Sequence, residues 1–386
     1  MSSAALRTCL LCVAVMLGGC SVIDTVNPFS SSPDPRTLPA PLPPLSGKIA
    51  SIKAAWTASV GTAGDYLFSP AVVNTSVYAA GTDGALARLD EGRQVWRISA
   101  AKSLSGGVGS DGKLVVVGTP KGDVLAFDAA DGKPLWTAKI GSDVLAPPLI
   151  SEGTVFVRSG DARIYAFNVA DGKRRWVYQR ATPALSLRAA AEMTAVPGGV
   201  LAGFPGGKVA AISAANGAAI WEVTVALPKG STELERVADV TSAPITSGRE
   251  VCAAAFQGRV ACYDSISLQL AWARDISSSA GLDLDSRSAY VSDDKGAVQA
   301  FDRKAGASLW KQDKLANRGL SRPLLISAYV VVGDFQGQVH LLNRDDGSFV
   351  GRFATDGSPI VAAPRRIGDH VLIQTKNGNL YALAID

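Results

Sequence analysis

Histidine is almost missing from this chain. Only His340 and His370 occur in 386 residues, and neither has a cysteine or a second histidine at metal-ligand spacing, which argues against an imidazole-built metal centre. Both are expected to be structural. A third histidine for a hydrolytic triad is absent, as are a G-x-S-x-G elbow and a glycine loop that cradles phosphate. Carboxylates are many, but most recur at turn positions, where Asp has a structural reason to stand. The sequence therefore offers no catalytic residue, no metal ligand set and no cofactor site, and the chain is read as a non-enzyme. A net charge of +4 is small, and no basic cluster with interleaved aromatics marks a nucleic-acid face. Tryptophan is scarce too, at seven, yet all seven belong to one recurring pattern.

That pattern is the stretch GDVLAFDAADGKPLW from Gly122 to Trp136, which returns at Ala162, Gly207, Gly258, Gly296 and Gly337, in a shorter version at Gly84 and in a truncated one at Gly378. Repeats spaced about 40 residues apart fix an architecture before any local reading does. The third position (Val124, Ile164, Val209, Val260, Val298) and the sixth (Phe127, Phe167, Ile212, Tyr263, Phe301) are apolar. Side chains alternate along a strand, so these two positions face opposite ways and the strand must be covered on both sides. The fifth position is mostly Ala, which suits close packing of neighbouring sheets. Asp128 with Gly132, Asn168 with Gly172 and Asp302 with Gly306 read as tight turns, after which the tryptophan sits on an outer strand. Two further apolar strands precede each copy. Four short antiparallel strands per unit is the arithmetic of a β-propeller blade.

The two ends settle the number of blades. The last copy stops after its third strand, while SIKAAWTASV around Trp56 is a fourth strand without the first three. Pairing the N-terminal strand with the C-terminal strands closes the ring and removes its free edges. The expected fold is all-β, an eight-bladed propeller over residues 47–386.

Arg7 precedes the apolar run CLLCVAVMLGG, too short to span a bilayer as a helix and built like a signal peptide. It ends in Leu17-Gly18-Gly19-Cys20, which resembles the bacterial lipobox. That resemblance implies a signal peptide over 1–19, lipidation of Cys20, and, from Ser21 after it, an outer-membrane destination. Residues 20–46 are rich in Pro and Ser and read as a semi-rigid tether, reaching on the order of 80 Å in polyproline geometry. Cys252 and Cys262 flank the turn at Phe256-Gln257-Gly258. With Gly258 in a bulge, they face each other across a hairpin. Two buried thiols are expected, because such pairs sit rather far apart for a disulfide, with a periplasmic disulfide as the alternative.

Loop lengths show where the ring is elaborated. From tryptophan to the next repeat start the intervals are 31 residues (176 to 207) and 37 (221 to 258), against 24 to 27 elsewhere. Both long segments precede a new blade, so both are expected on one rim. The first carries Leu185, Leu187 and Arg188. Apolar anchors beside an arginine have the composition of binding hot spots, although Leu185 and Leu187 could equally begin the innermost strand of the fourth blade.

The phrase A-F-D-x-x-D-G-K-x-x-W resembles the tryptophan-docking repeat of eight-bladed quinoprotein dehydrogenases, which hold pyrroloquinoline quinone and calcium on the propeller axis. Those enzymes are much longer and set adjacent cysteines against the cofactor, a pair that this chain lacks. In length, lipobox, Pro-rich tether and closing strand the chain is similar to the BamB family, lipoprotein subunits of the outer-membrane β-barrel assembly machinery. That resemblance implies a scaffold in the outer membrane, on its periplasmic face. It would dock the POTRA domains of the barrel subunit BamA and assist folding and insertion of outer-membrane proteins. Unfolded client strands are a further partner, taken up by β-augmentation at exposed strand edges. In the family an S-L-R loop and a neighbouring D-V-D segment make the BamA contact. Ser186-Leu187-Arg188, with Leu185 before it, matches the first, and Asp239-Val240-Thr241 keeps only the first acid of the second. The alternative is a quinoprotein-type propeller with a small molecule in its axial channel.

Overall fold

Strands β1 to β32, in chain order, make up the regular structure of the residues that the computed structural model describes, 37–47 and 49–386. They form eight antiparallel sheets of four strands. Blade one is β2 (Ala71–Val73), β3 (Ser76–Ala80), β4 (Ala85–Asp90) and β5 (Arg93–Ser99), paired in that order. Six more blades of four consecutive strands follow. The eighth joins β1 (Ile52–Ser59), β32 (Asn379–Ile385), β31 (His370–Gln374) and β30 (Arg365–Ile367) in that order, with β1 running antiparallel to β32 from Ile52↔Ile385 to Ser59↔Asn379. The ring closes between the chain's own ends, as its truncated last repeat requires. The expected signal peptide over 1–19 and the expected lipidation site Cys20 lie outside the described residues.

The third strand of each blade shows why the repeat is written as it is. In β8 (Asp123–Asp128) both Val124 and Phe127 are buried, and so are the matching residues of the other seven copies, from Leu86 and Leu89 to Leu380 and Leu383. One face packs on the blade before and the other on the blade after. The core is thus a set of interblade layers, each holding the apolar side chains of two neighbouring sheets.

The tryptophans tie these layers at the outer rim. Trp136, on β9 (Pro134–Lys139), donates its indole N–H to the carbonyl of Val169 in the next blade at 3.0 Å. Trp96, Trp176, Trp272 and Trp310 do the same to Ala129, Ala214, Arg303 and Arg344. Each ring lies on the turn glycine of that next blade. A Cβ at Gly172 would stand 2.5 Å from the Trp136 ring, and Gly172 also has a φ of +68°, so the position demands glycine twice over. Where the turn residue is Leu268, at φ 58°, Leu268 and Trp221 both pack on the same interblade core.

Cys252 on β19 (Glu250–Ala254) pairs with Cys262 on β20 (Val260–Asp264), as the hairpin register predicts. The expectation of two thiols is corrected: the sulfurs are joined in a disulfide. The Cα atoms are only 4.1 Å apart, the close approach of a non-hydrogen-bonded antiparallel pair, so the pair is nearer than anticipated. The positive φ in their turn belongs to Gln257 rather than to Gly258.

The compact unit spans Ala40–Asp386. Its first residues lie along blade seven, where the amides of Ser46 and Ala50 donate to the carbonyls of Phe349 and Val350 on β29 (Phe349–Ala354). Arg318 and Arg352 donate to the carbonyls of Ala40 and Pro43. Beneath them Asp334 accepts from Arg318 Nε at 2.6 Å and meets His340 Nε2 at 2.8 Å. His340 is fully buried, in the structural role its isolation in the sequence suggests. No helix among the described residues is long and apolar enough to cross a membrane.

Candidate functional site

Between β13 (Arg174–Tyr178) and β14 (Thr194–Val196), and between β17 (Ala219–Thr224) and β18 (Ile245–Ser247), the chain makes its two long excursions. The structure joins them on one rim: the Leu187 amide donates to Asp239 Oδ2 at 2.6 Å. Leu185 and Leu187 are 44% and 38% exposed. Neither begins the innermost strand of blade four, which starts seven residues after Leu187. Exposure of two branched apolar side chains on a loop whose backbone is fixed is the arrangement of a preorganised contact.

Arg188 is the charged member of the cluster. It donates to Asp143 Oδ2 through Nε at 3.1 Å and through Nη2, with the guanidinium still 65% exposed. Asp143 belongs to the segment before β10 (Leu149–Ser151), so the loop is gripped from the blade behind it as well. Leu187, Arg188 and Thr241 share the wall of a depression of about 360 Å³ with Tyr66, Leu67 and Leu145. The second excursion adds Leu227 and Leu234, 64% and 72% exposed.

Asp239 stands differently from the surface contact expected of it. It is 2% exposed, and its other oxygen accepts from the Gly206 amide at 3.0 Å. Its carboxylate faces the buried Arg158, whose guanidinium lies 5.2 Å from the Phe204 ring. Burial lowers Arg158 to about 10, against the pull of Asp239. Both carboxylate oxygens of Asp239 are thus engaged inside the protein, where it shapes the Leu187 loop rather than facing solvent. Thr241, at the position of the family's second acid, donates to the Ser279 carbonyl at 3.0 Å.

The axial channel is the other candidate site. A cavity of about 350 Å³ is lined by first strands of several blades and by Glu192, Arg365 and Arg366. Glu192 takes Arg365 Nη2 on both oxygens, at 2.6 and 2.7 Å, and Arg322 lies close enough to help keep it ionised. A carboxylate enclosed by guanidinium groups is a poor donor set for calcium, which asks for several oxygens. Among the described residues the one cluster of metal-type ligands, Glu250 with Cys252 and Cys262, has its sulfurs tied up in the disulfide. The residues present do not fit a calcium-bound quinone.

The family described as "Outer membrane protein assembly factor BamB" matches residues 82–312. Proteins of that name from Bordetella pertussis and Burkholderia pseudomallei are 45% and 42% identical to the chain. The first match covers 95% of each chain, the second 91% of this chain and 93% of the relative. The crystal structure of BamB from Moraxella catarrhalis superposes with a TM-score of 0.81 at 28% identity, over 86% of this chain and 100% of that one. Quinohemoprotein alcohol dehydrogenase from Comamonas testosteroni superposes at 0.71 with 12% identity, over 86% of this chain and 76% of that one, and shares the fold alone.

Proposed function

Because the chain belongs to the BamB family of outer membrane protein assembly factors, we propose that it is a non-enzymatic scaffold of the assembly complex and docks the POTRA domains of BamA. The observation that carries this is the loop of Leu185, Leu187 and Arg188: two exposed aliphatic side chains and a guanidinium on a backbone fixed by Asp239. The leucines give a partner an apolar anchor beside a depression. Arg188 gives it a cation that can trade or share Asp143 with an acidic residue of the partner, a charge pair that sets orientation more than raw affinity. Asp239 serves the contact by holding the loop.

Lipidation at Cys20 would anchor the scaffold on the periplasmic side of the outer membrane. Outer strands carry exposed aliphatic residues beside the tryptophans, among them Val95, Leu135, Ile220 and Leu309, and this supports uptake of extended client strands at those edges. Crosslinking of unfolded barrel peptides to outer-strand positions tests that extension, and failure to crosslink at any blade would end it. For the scaffold itself, affinity capture of the tagged full-length chain from outer membranes should bring down BamA. The folded Leu187→Ala/Arg188→Ala variant should not.

A further inference from the structure

We infer that Glu192 and Arg365 pin the docking loop across the propeller axis, and that both are positioning residues for the contact made by Leu187 and Arg188. The inference rests on the docking reading above.

The loop leaves blade three at β13 and enters blade four at β14, and Glu192 is its next-to-last residue before that strand. Its partner Arg365 opens β30 (Arg365–Ile367), the innermost strand of blade eight. In a ring of eight, blades four and eight stand half a turn apart. A pair 173 residues apart in sequence, with both Glu192 oxygens on one guanidinium nitrogen at 2.6 and 2.7 Å, therefore links the loop to the far side of the ring. Both side chains are largely buried. Burial alone would push the Glu192 acid up, and the charge and hydrogen bonds of Arg365, with help from Arg322, outweigh it and hold the carboxyl below its ordinary range.

The loop is thus held at three places by three different parts of the ring. Leu187 hangs by its amide on Asp239, from the segment before blade five. Arg188 is gripped by Asp143, ahead of blade three. Glu192 is fastened to blade eight. The first two act at the docking residues themselves, and the third, together with the buried Ala191 and Met193, fixes the end of the small-residue stretch Ala189-Ala190-Ala191 that follows. Ala189 and Ala190 have no side chain with which to hold the backbone, so the direction in which the loop approaches its buried end at Ala191 and Met193 leans on the pin. Removing one member of such a pair leaves the other as an uncompensated charge. The remaining group then turns toward water, and the loop can follow it.

Amide hydrogen exchange of the full chain without a partner tests this, on wild type, Glu192→Gln and Arg365→Gln. The Leu187 amide, whose acceptor is Asp239, should exchange about tenfold faster in both variants, read in peptides covering 185–191, while blade strands keep wild-type protection. The apolar double variant Glu192→Leu/Arg365→Met, which buries no lone charge, should show the same local release. Affinity for BamA POTRA domains should fall about tenfold in all three. Unchanged exchange at 185–191, or release spread evenly through the blades, overturns the pin. Released exchange with full affinity, where Leu187→Ala/Arg188→Ala abolishes binding, overturns the positioning role. If Leu187→Ala/Arg188→Ala binds like wild type, the docking reading fails, and the exchange data still decide whether the pin exists.

Discussion

The Leu187 backbone amide donates to the buried carboxylate of Asp239 at 2.6 Å, joining residues 52 positions apart on the two longest loops of the ring. An acid of the second loop thereby sets the backbone of the first. What the loop presents to solvent is the outcome, two leucines and an arginine.

Asp239→Ala should therefore act on docking from inside the protein. It leaves the Leu187 and Gly206 amides without their acceptor and should cost about 1–3 kcal/mol of stability by denaturant unfolding. It should also weaken POTRA binding although the side chain is buried. Asp239→Asn keeps one acceptor oxygen and turns an NH₂ toward a donor, so it should recover only part of either effect.

The turn glycines under the tryptophans allow a matched comparison. Gly172 and Gly153 have similar φ, +68° and +71°, but an added Cβ meets the Trp136 ring at 2.5 Å in the first and nothing within 4 Å in the second. Gly153→Ala should cost only the left-handed backbone penalty, about 1–2 kcal/mol. Gly172→Ala adds an overpacked contact and should cost about 1–3 kcal/mol more by thermal or denaturant melts.

Peptide mapping of unreduced protein should recover Cys252 and Cys262 in one linked peptide. Reduction, or Cys252→Ala/Cys262→Ala, should cost about 2–3 kcal/mol, the chain-entropy scale for so short a loop.

His340 gives the fold a defined acid response. Arg352 Nε lies 3.4 Å from its Nδ1 and Asp334 Oδ2 lies 2.8 Å from its Nε2, an arrangement met by the neutral ring with its proton on Nε2. Burial holds the imidazole below its ordinary 6.5, against the pull of Asp334. The unfolded chain then binds the proton first as pH falls, so this contribution is full above 6.5 and declines below it, at a slope of up to about 1.4 kcal/mol per pH unit. Asp334, held below the usual carboxylate range by its partners despite burial, contributes a separate loss below 3.8. His340→Gln should flatten the stability profile between pH 6.5 and 5, measured by denaturant midpoints, and leave the more acidic loss in place.

Much of this fold was legible in the sequence because the repeat exposes its own physics. Val124 and Phe127 say that a strand is covered on both faces, Gly132 and Gly172 mark turns that tryptophans cover, and Trp56 without a blade announces the closure. Loop intervals likewise pointed to the rim and to Leu185, Leu187 and Arg188. What the sequence could not show is how the ring folds distant residues onto that loop. Asp143 and Glu192 carry no motif, and their partners lie 45 and 173 residues away. Asp239 stands out by its place in a family pattern, yet its burial beside Gly206 and Arg158 comes from the packing of neighbouring blades. The disulfide of Cys252 and Cys262 is not legible in the spacing because it depends on the 4.1 Å approach of their Cα atoms across the hairpin.

Titration of the purified chain with BamA POTRA domains, on wild type and on Leu187→Ala/Arg188→Ala with unchanged circular dichroism, tests the docking loop. Wild type should bind saturably, and the variant should lose at least tenfold in affinity, about 1.4 kcal/mol or more. Equal affinity of the two proteins, or no binding by wild type, would contradict the docking role of this loop.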